Sequence, residues 1–327
     1  MKQKVVNWGI ISCSRNAEIR FIPGLLNAKS AKLYAISSRG KSAKLERFQQ
    51  KFQPVNSYES YEELLNDPEI VAVYNTLPNG LHAEWTIRAL EKKKKVLCEK
   101  PMGTTEAEVR EMQAVSKKNG VLLMEAFAFR QSPLTYKVKN LVETGAVGKV
   151  KFIETHFSYM LTNEANVRLS PALLGGTTYD IGCYNLNLIR YIAGEEPVSV
   201  MATGKVGAKS GVKEESCITL TFANGITASS YCGFGAYRRC GYTILGEEGY
   251  IYVPSEYNFA GELKIILNTN GNTQEIIVNC PDNYMLEAEQ FSRSVLGEEK
   301  PVITFEDSIG NAKVIDEVLR QVFEKNS

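Results

Sequence analysis

Histidine is scarce in this 327-residue chain: His82 and His156 are the only two. They stand far apart in the sequence, so there is no histidine-rich ligand set, and a structural zinc site is not expected. The seven cysteines, at 13, 98, 183, 217, 232, 240 and 280, are odd in number and include no C-x-x-C pair. That usage fits a reduced, cytoplasmic protein and not a disulfide framework. An excess of one charge sign is also missing, with 38 Lys plus Arg against 37 Asp plus Glu, a formal net charge of +1 and no basic tail. The chain therefore lacks the electrostatic footprint of a nucleic-acid binder. No stretch is long and apolar enough to span a bilayer. The early apolar run Val5 to Ile11 contains Asn7 and Trp8 and is followed by no small-residue cleavage site, so it reads as a strand and not as a signal peptide.

What remains is a soluble globular composition, 44% hydrophobic, at a length that suits two domains. Through about residue 125, apolar runs at Val5 to Ile11, Leu33 to Ser37, Val71 to Thr76, Val96 to Cys98 and Val121 to Met124 read as strands. Between them, Ala17 to Asn27, Ser42 to Lys51, Tyr61 to Asn66, Leu81 to Lys92 and Thr105 to Lys118 carry helical spacing. This alternation predicts an α/β domain, a doubly wound parallel sheet with helices on both faces. Beyond Arg130 come helices at Pro133 to Glu143 and Thr178 to Ile192, a strand at Lys149 to Tyr159, and strands at 217–222, 227–232, 242–245, 250–253, 263–267 and 274–278. Turn signals between these strands predict a large open, mainly antiparallel sheet in an α+β domain. Two helices, Asn283 to Leu296 and Asp307 to Lys325, close the chain. The expected division is 1–124 and 125–327, with the C-terminal helix free to pack back on the first domain.

Candidate chemistry clusters at the carboxyl ends of the early strands, the edge where open parallel sheets bind ligands. Lys100 ends the run Val96-Leu97-Cys98-Glu99 and is followed by Pro101, which biases it toward an extended exit from the strand. The first strand runs through Ile11-Ser12-Cys13-Ser14-Arg15-Asn16 into a helix at Ala17, the setting of a dinucleotide-binding turn. The glycines of that turn are absent. Ser12 and Ser14 stand where the first two would be, and Ala17 fits the last position, where a helix packs closely. After the second strand come Ser38 and Arg39 with no carboxylate, a pairing suited to a ribose 2′-phosphate and hence to NADP(H), with NAD(H) second. The turn Leu77-Pro78-Asn79 lies at the same sheet edge as Lys100 and is expected to contact the nicotinamide half of a cofactor. His82, in the following helix, reads more as a cap or packed residue than as a catalyst.

In the second domain, Gly175-Gly176 precede Asp180 and Tyr184, which share a helix face at a spacing of four. The paired glycines would allow a ligand close to the backbone. A tyrosine, with an ordinary pKa of about 10, is a poor base near neutrality, but an ammonium such as that of Lys100 stabilises the phenolate. Tyrosine and lysine together make a workable acid/base pair for moving an alcohol proton while hydride moves to or from nicotinamide.

Taken in order, Trp8-Gly9-Ile10, Leu77-Pro78-Asn79 with His82, Glu99-Lys100-Pro101, Leu123-Met124-Glu125-Ala126-Phe127 with Arg130, and Gly175 through Tyr184 resemble the glucose-fructose oxidoreductase, inositol dehydrogenase and rhizopine catabolism (Gfo/Idh/MocA) family over nearly the whole chain. The Met-Glu-Ala-Phe segment and Tyr184 look most like its dihydrodiol dehydrogenase and NADP-dependent xylose dehydrogenase branch; the inositol dehydrogenase branch usually has histidine where Tyr184 stands. The resemblance implies an N-terminal Rossmann domain, a C-terminal domain with a large open sheet, a substrate cleft between them and a homodimer or higher oligomer. It also implies catalysis by Lys100 and Tyr184, with Asp180 positioning substrate or the pair. Glu99, His82 and Arg130 join the cofactor set by the same likeness. Serines 12 and 14 depart from the commonest pattern. The expected function is an NADP-dependent oxidoreductase acting on a sugar, polyol or related cyclic alcohol or carbonyl compound. The competing reading is a non-catalytic dinucleotide-binding regulator, for which the Lys100 and Tyr184 pair has no chemical use.

Overall fold

The computed structural model describes residues 4–324, which divide into two compact units. The first takes residues up to 103, 107–131 and 281–308. Its six strands are β1 (Val6–Ile11), β2 (Ala31–Ser37), β3 (Asn56–Tyr58), β4 (Ala72–Asn75), β5 (Lys95–Glu99) and β6 (Leu123–Ala126), all parallel, in the order β3-β2-β1-β4-β5-β6. The chain starts at the centre, winds to one edge and returns to begin the other half. The carboxyl ends of β1 and β4 therefore flank the crevice of a doubly wound sheet. Every residue of β4 is buried, and all of β1 except Asn7, as expected where helices cover both faces.

The helices of this unit begin with α1 (Ile22–Asn27), entered through a π-helical turn at Ala17–Phe21 in place of the continuous α-helix expected from Ala17. Ser42 and Ser60 cap α2 (Ala43–Phe52) and α3 (Tyr61–Asn66), each accepting a backbone N–H of the first turn. Then come α4 (His82–Glu91) and α5 (Glu106–Asn119). The further α-helices among the described residues are α6 (Pro133–Glu143), α7 (Cys183–Ala193), α8 (Asn283–Val295) and α9 (Phe305–Glu324). Although late in sequence, α8 belongs to the first unit. Trp8 of β1, fully buried, packs against Phe21 and against Phe291 of α8, with ring centroids 5.5 and 5.3 Å away, and donates its indole N–H to Ser292 Oγ at 3.0 Å. Gly24 makes the contact with α8 close: a β-carbon there would lie 2.6 Å from the Met285 backbone nitrogen.

The second unit, 104–106, 132–280 and residues from 309, carries an eight-stranded sheet. Its strands are β7 (Val150–Met160), β8 (Ser199–Val206), β9 (Lys213–Thr221), β10 (Thr227–Gly233), β11 (Gly235–Gly246), β12 (Gly249–Val253), β13 (Gly261–Thr269) and β14 (Asn272–Cys280), in the order β14-β13-β12-β11-β7-β10-β9-β8. Pairing is antiparallel except between β7 and β10, which run parallel because β7 inserts into the middle of the later strands. The sheet is thus mixed, and the uninterrupted meander read from the turns is broken at that point. Two strands were not anticipated, β3 and β8. Both are edge strands: β3 is only three residues long, and β8 alternates around small residues, with Val200, Ala202, Gly204 and Val206 less exposed than Ser199, Met201, Thr203 and Lys205, a weak apolar signal. Helices α6 and α7 pack on one face of the sheet. Lys325, the expected end of the last helix, lies outside the described residues. Among those residues no helix is long and apolar enough to cross a membrane.

Candidate active site

At the end of β1 the chain turns at Ser12 with φ of +86°, a left-handed conformation that usually selects glycine. A serine thus adopts the backbone of the missing fingerprint glycine. Cys13 is buried against the Ser37 carbonyl, and burial pushes its thiol up to about 11, so it stays neutral. Ser14 Oγ accepts from the Ala17 backbone N–H at 3.0 Å and is 2.8 Å from Thr76 Oγ1, which ties the turn to the end of β4. Arg15 is exposed. Asn16 reaches across the sheet edge, its amide donating to Tyr74 Oη and to Glu99 Oε1, each at 2.8 Å. Tyr74 Oη donates to the same carboxylate oxygen, and the Lys100 backbone N–H donates to Oε2 at 3.2 Å. The ends of β1, β4 and β5 are therefore joined through Glu99, immediately before Lys100. Burial raises the Glu99 pKa, against the opposing pull of the Lys100 charge and its hydrogen-bond donors.

Ser38 is buried and bonds within its own turn, to the Gly40 carbonyl, while Arg39 is exposed. Burial raises the pKa of the Tyr61 phenol, which sequence reasoning did not single out, against the lowering influence of nearby Ser12 and of the Arg39 charge. Its position on α3 gave no signal, since a tyrosine opening a helix is ordinary.

His82 is fully buried, with Nδ1 2.8 Å from the Pro101 carbonyl and Nε2 2.8 Å from that of Leu77. Burial lowers its pKa. It ties the Leu77–Asn79 turn to the Lys100–Pro101 corner, whose peptide bond is cis. Arg130 is buried and ion-paired to Asp307 at 2.6 Å.

In the second unit, the paired glycines receive the chain itself: a β-carbon at Gly175 would lie 2.3 Å from the Arg168 carbonyl, to which the Gly176 N–H donates at 2.8 Å. The 178–182 segment is a π-helical turn leading into α7. Asp180 Oδ2 accepts from Arg168 Nε and from Tyr159 Oη, both at 2.7 Å. Next to Asp180, the guanidinium of Arg168 is held well above its ordinary pKa, and it feels the phenol groups of Tyr159 and Tyr184. Tyr184 is buried at the start of α7, its ring stacked on Tyr257 at 5.3 Å and 21°. Asn258 Nδ2 donates to its phenol oxygen at 3.0 Å. Arg168, Tyr159, Tyr257 and Asn258 were absent from the sequence-derived set because none lies in a recognisable motif.

The first unit has what a dinucleotide needs: a switch point, a turn whose backbone conformation lets a phosphate approach, hydroxyl donors and an exposed arginine beyond β2. Comparison with known proteins agrees. Residues 6–127 match the model of the oxidoreductase family with NAD-binding Rossmann fold, and 135–252 match the GFO/IDH/MocA C-terminal domain. The chain is 32% identical over 265 residues to D-xylose 1-dehydrogenase (NADP(+)) 2 of Haloferax volcanii, covering 80% of this chain and 81% of that one. It is 30% identical to trans-1,2-dihydrobenzene-1,2-diol dehydrogenase of Xenopus tropicalis, over 96% and 97% of the two chains. Among solved structures, KijD10, a 3-ketoreductase from Actinomadura kijaniata in complex with NADP and TDP-benzene, superposes with a TM-score of 0.92 at 25% identity over 98% of each chain. The chain thus belongs to the GFO/IDH/MocA family, and it is an oxidoreductase with an NAD(P)-binding Rossmann domain.

Proposed function

We propose that this oxidoreductase uses NADP(H) in preference to NAD(H) and acts on a sugar, polyol or related cyclic alcohol or carbonyl compound, with Tyr184 as the proton-transfer group, Lys100 as the cation that tunes it and Asp180 as a positioning residue. The bound nicotinamide would supply or accept the hydride. The turn at Ser12, with Ser14, would cradle its phosphates, and Arg39 would meet the 2′-phosphate. The xylose dehydrogenase and ketoreductase relatives support the substrate class.

The observation that carries the catalytic assignment is the bonding of Asp180. Its carboxylate accepts from the Arg168 guanidinium and the Tyr159 hydroxyl, so it serves as an acceptor that orders its surroundings. The neighbouring phenol carries the proton. In carbonyl reduction Tyr184 Oη gives that proton to the forming alkoxide, and the Lys100 ammonium makes its loss easier. The family's enzymes do not favour the regulator reading, which makes no use of the pair.

The second face of the eight-stranded sheet exposes Met201, Leu245 and Tyr250, which supports a homodimer built across it. All seven cysteines are free, in keeping with a cytoplasmic enzyme.

The test is single-turnover hydride transfer in Tyr184→Phe and Lys100→Met, after showing that each variant still binds NADPH. Each should slow the chemical step by roughly a hundredfold or more, and the double variant much less than the product of the two. Near-wild-type transfer in Tyr184→Phe would remove tyrosine from the mechanism.

A further inference from the structure

We propose that Asn258, on the loop between β12 and β13, is the positioning residue for Tyr184: its amide holds the phenol oxygen as an acceptor and so directs the phenol's own proton toward the substrate. This rests on the reading of Tyr184 as the proton-transfer group.

A neutral phenol has one proton to donate and lone pairs to accept with, whereas an amide nitrogen only donates. The 3.0 Å contact from Asn258 Nδ2 to Tyr184 Oη therefore occupies a lone pair. The O–H bond points elsewhere. When the phenol ionises, the same contact becomes charge-assisted and stronger, so Asn258 favours the phenolate from within its own unit.

The adjacent residue completes the grip. The ring of Tyr257 stacks on that of Tyr184, and its hydroxyl donates to Asn185 Oδ1 at 2.7 Å. Asn185 in turn donates from Nδ2 to Ser230 Oγ and to the Tyr231 carbonyl of β10, each at 3.0 Å. One loop thus fixes both the face and the hydroxyl of Tyr184 and is itself anchored to the sheet. Proton transfer demands that geometry before any tuning of acidity.

The other charged groups near Tyr184 in this unit compensate one another. Arg168 and Asp180 form an ion pair, to which Tyr159 donates. Behind Tyr257, burial raises the pKa of Tyr242 and pushes Cys240 up to about 12, so these stay neutral, and Cys183 on the same helix is a free thiol. Within this unit Asn258 donates directly to the Tyr184 phenol oxygen. Lys100 belongs to the other unit.

The experiment titrates the full chain with tyrosine labelled by carbon-13 at Cζ, the Tyr184 resonance being assigned by its loss in Tyr184→Phe. In Asn258→Ala the Tyr184 midpoint should rise by about one pH unit. It should rise further in Asn258→Asp, where a carboxylate faces the phenol, while the other tyrosine resonances keep their positions and report an intact fold. The pH profile of kcat/KM should move with the midpoint. A Tyr184 midpoint unchanged in both variants overturns the proposal. A midpoint that moves while the kcat/KM profile stays fixed upholds the grip on the phenol and instead removes Tyr184 from the chemistry.

Discussion

Tyr74 of β4 donates its phenol proton to Glu99 at the end of β5, inside a site where both side chains are buried. The bond joins two strand ends at the residue before Lys100, and Asn16 adds a donor to each partner from the β1 turn. Removing the hydroxyl with Tyr74→Phe leaves a buried carboxylate short of a donor. Stability should fall by about 1–3 kcal/mol, as measured by urea denaturation. Because the lost donor favours ionised Glu99, the deficit should grow with rising pH. An unchanged midpoint would mean that the bond contributes nothing net.

Glu287 of α8 is fully buried, and burial, followed by the negative fields of Glu99 and Asp282, holds its carboxyl well above the usual range. A carboxyl whose folded pKa exceeds its unfolded value of about 4.3 adds stability that is complete below that value and is lost as pH rises through the folded one. Glu287→Gln keeps the shape without the titration. Its stability in urea denaturation should therefore gain on wild type progressively as pH rises above about 4.3, with a slope of at most about 1.4 kcal/mol per pH unit. A difference that does not vary with pH would exclude Glu287 as the group responsible.

Arg39 is exposed just beyond β2, where the sequence supplies no carboxylate for a ribose diol. Arg39→Ala should weaken NADPH by roughly ten- to a hundredfold, the worth of a charge-assisted hydrogen bond, and leave NADH nearly unchanged. Isothermal titration with both cofactors decides the matter. Equal losses would show that Arg39 does not read the 2′-phosphate.

Met201 stands exposed on β8 while its neighbour Ala202 is buried, so it points from the uncovered side of the sheet. Light scattering should find a dimer for the wild-type chain and a shift toward monomer in Met201→Glu, which places a charge in the face proposed to pair. A wild-type monomer at all practical concentrations would end the dimer proposal.

Much of the first unit was legible in the chain itself. Helical and strand periods alternate regularly there, the switch-point turn at Ser12 to Ala17 follows its strand directly, and Lys100 is held between strand and proline by neighbours in sequence. Local pattern suffices because each βαβ unit is built from contiguous segments. The second sheet was less legible. Its strands were read from their turns, but the insertion of β7 beside β10 depends on a pairing between segments 75 residues apart, Ser229 on Glu154 and Ser230 on Thr155 among them.

The chemistry divides in the same way. Tyr184, Asp180 and Lys100, the proposed reacting and positioning groups, were picked out by their flanking sequence and by the family resemblance. What each side chain does was decided by partners distant in sequence: Arg168 and Tyr159 engage Asp180, Asn258 holds the Tyr184 hydroxyl, and Asp307 pairs with Arg130. Likewise Gly24 reads as an ordinary helix glycine until α8 returns from the far end of the chain to lie against it. Periodicity and turn chemistry are properties of neighbouring residues, so they can be read from order alone. Hydrogen bonds and ion pairs between side chains depend on distance in space, which only the packed chain determines.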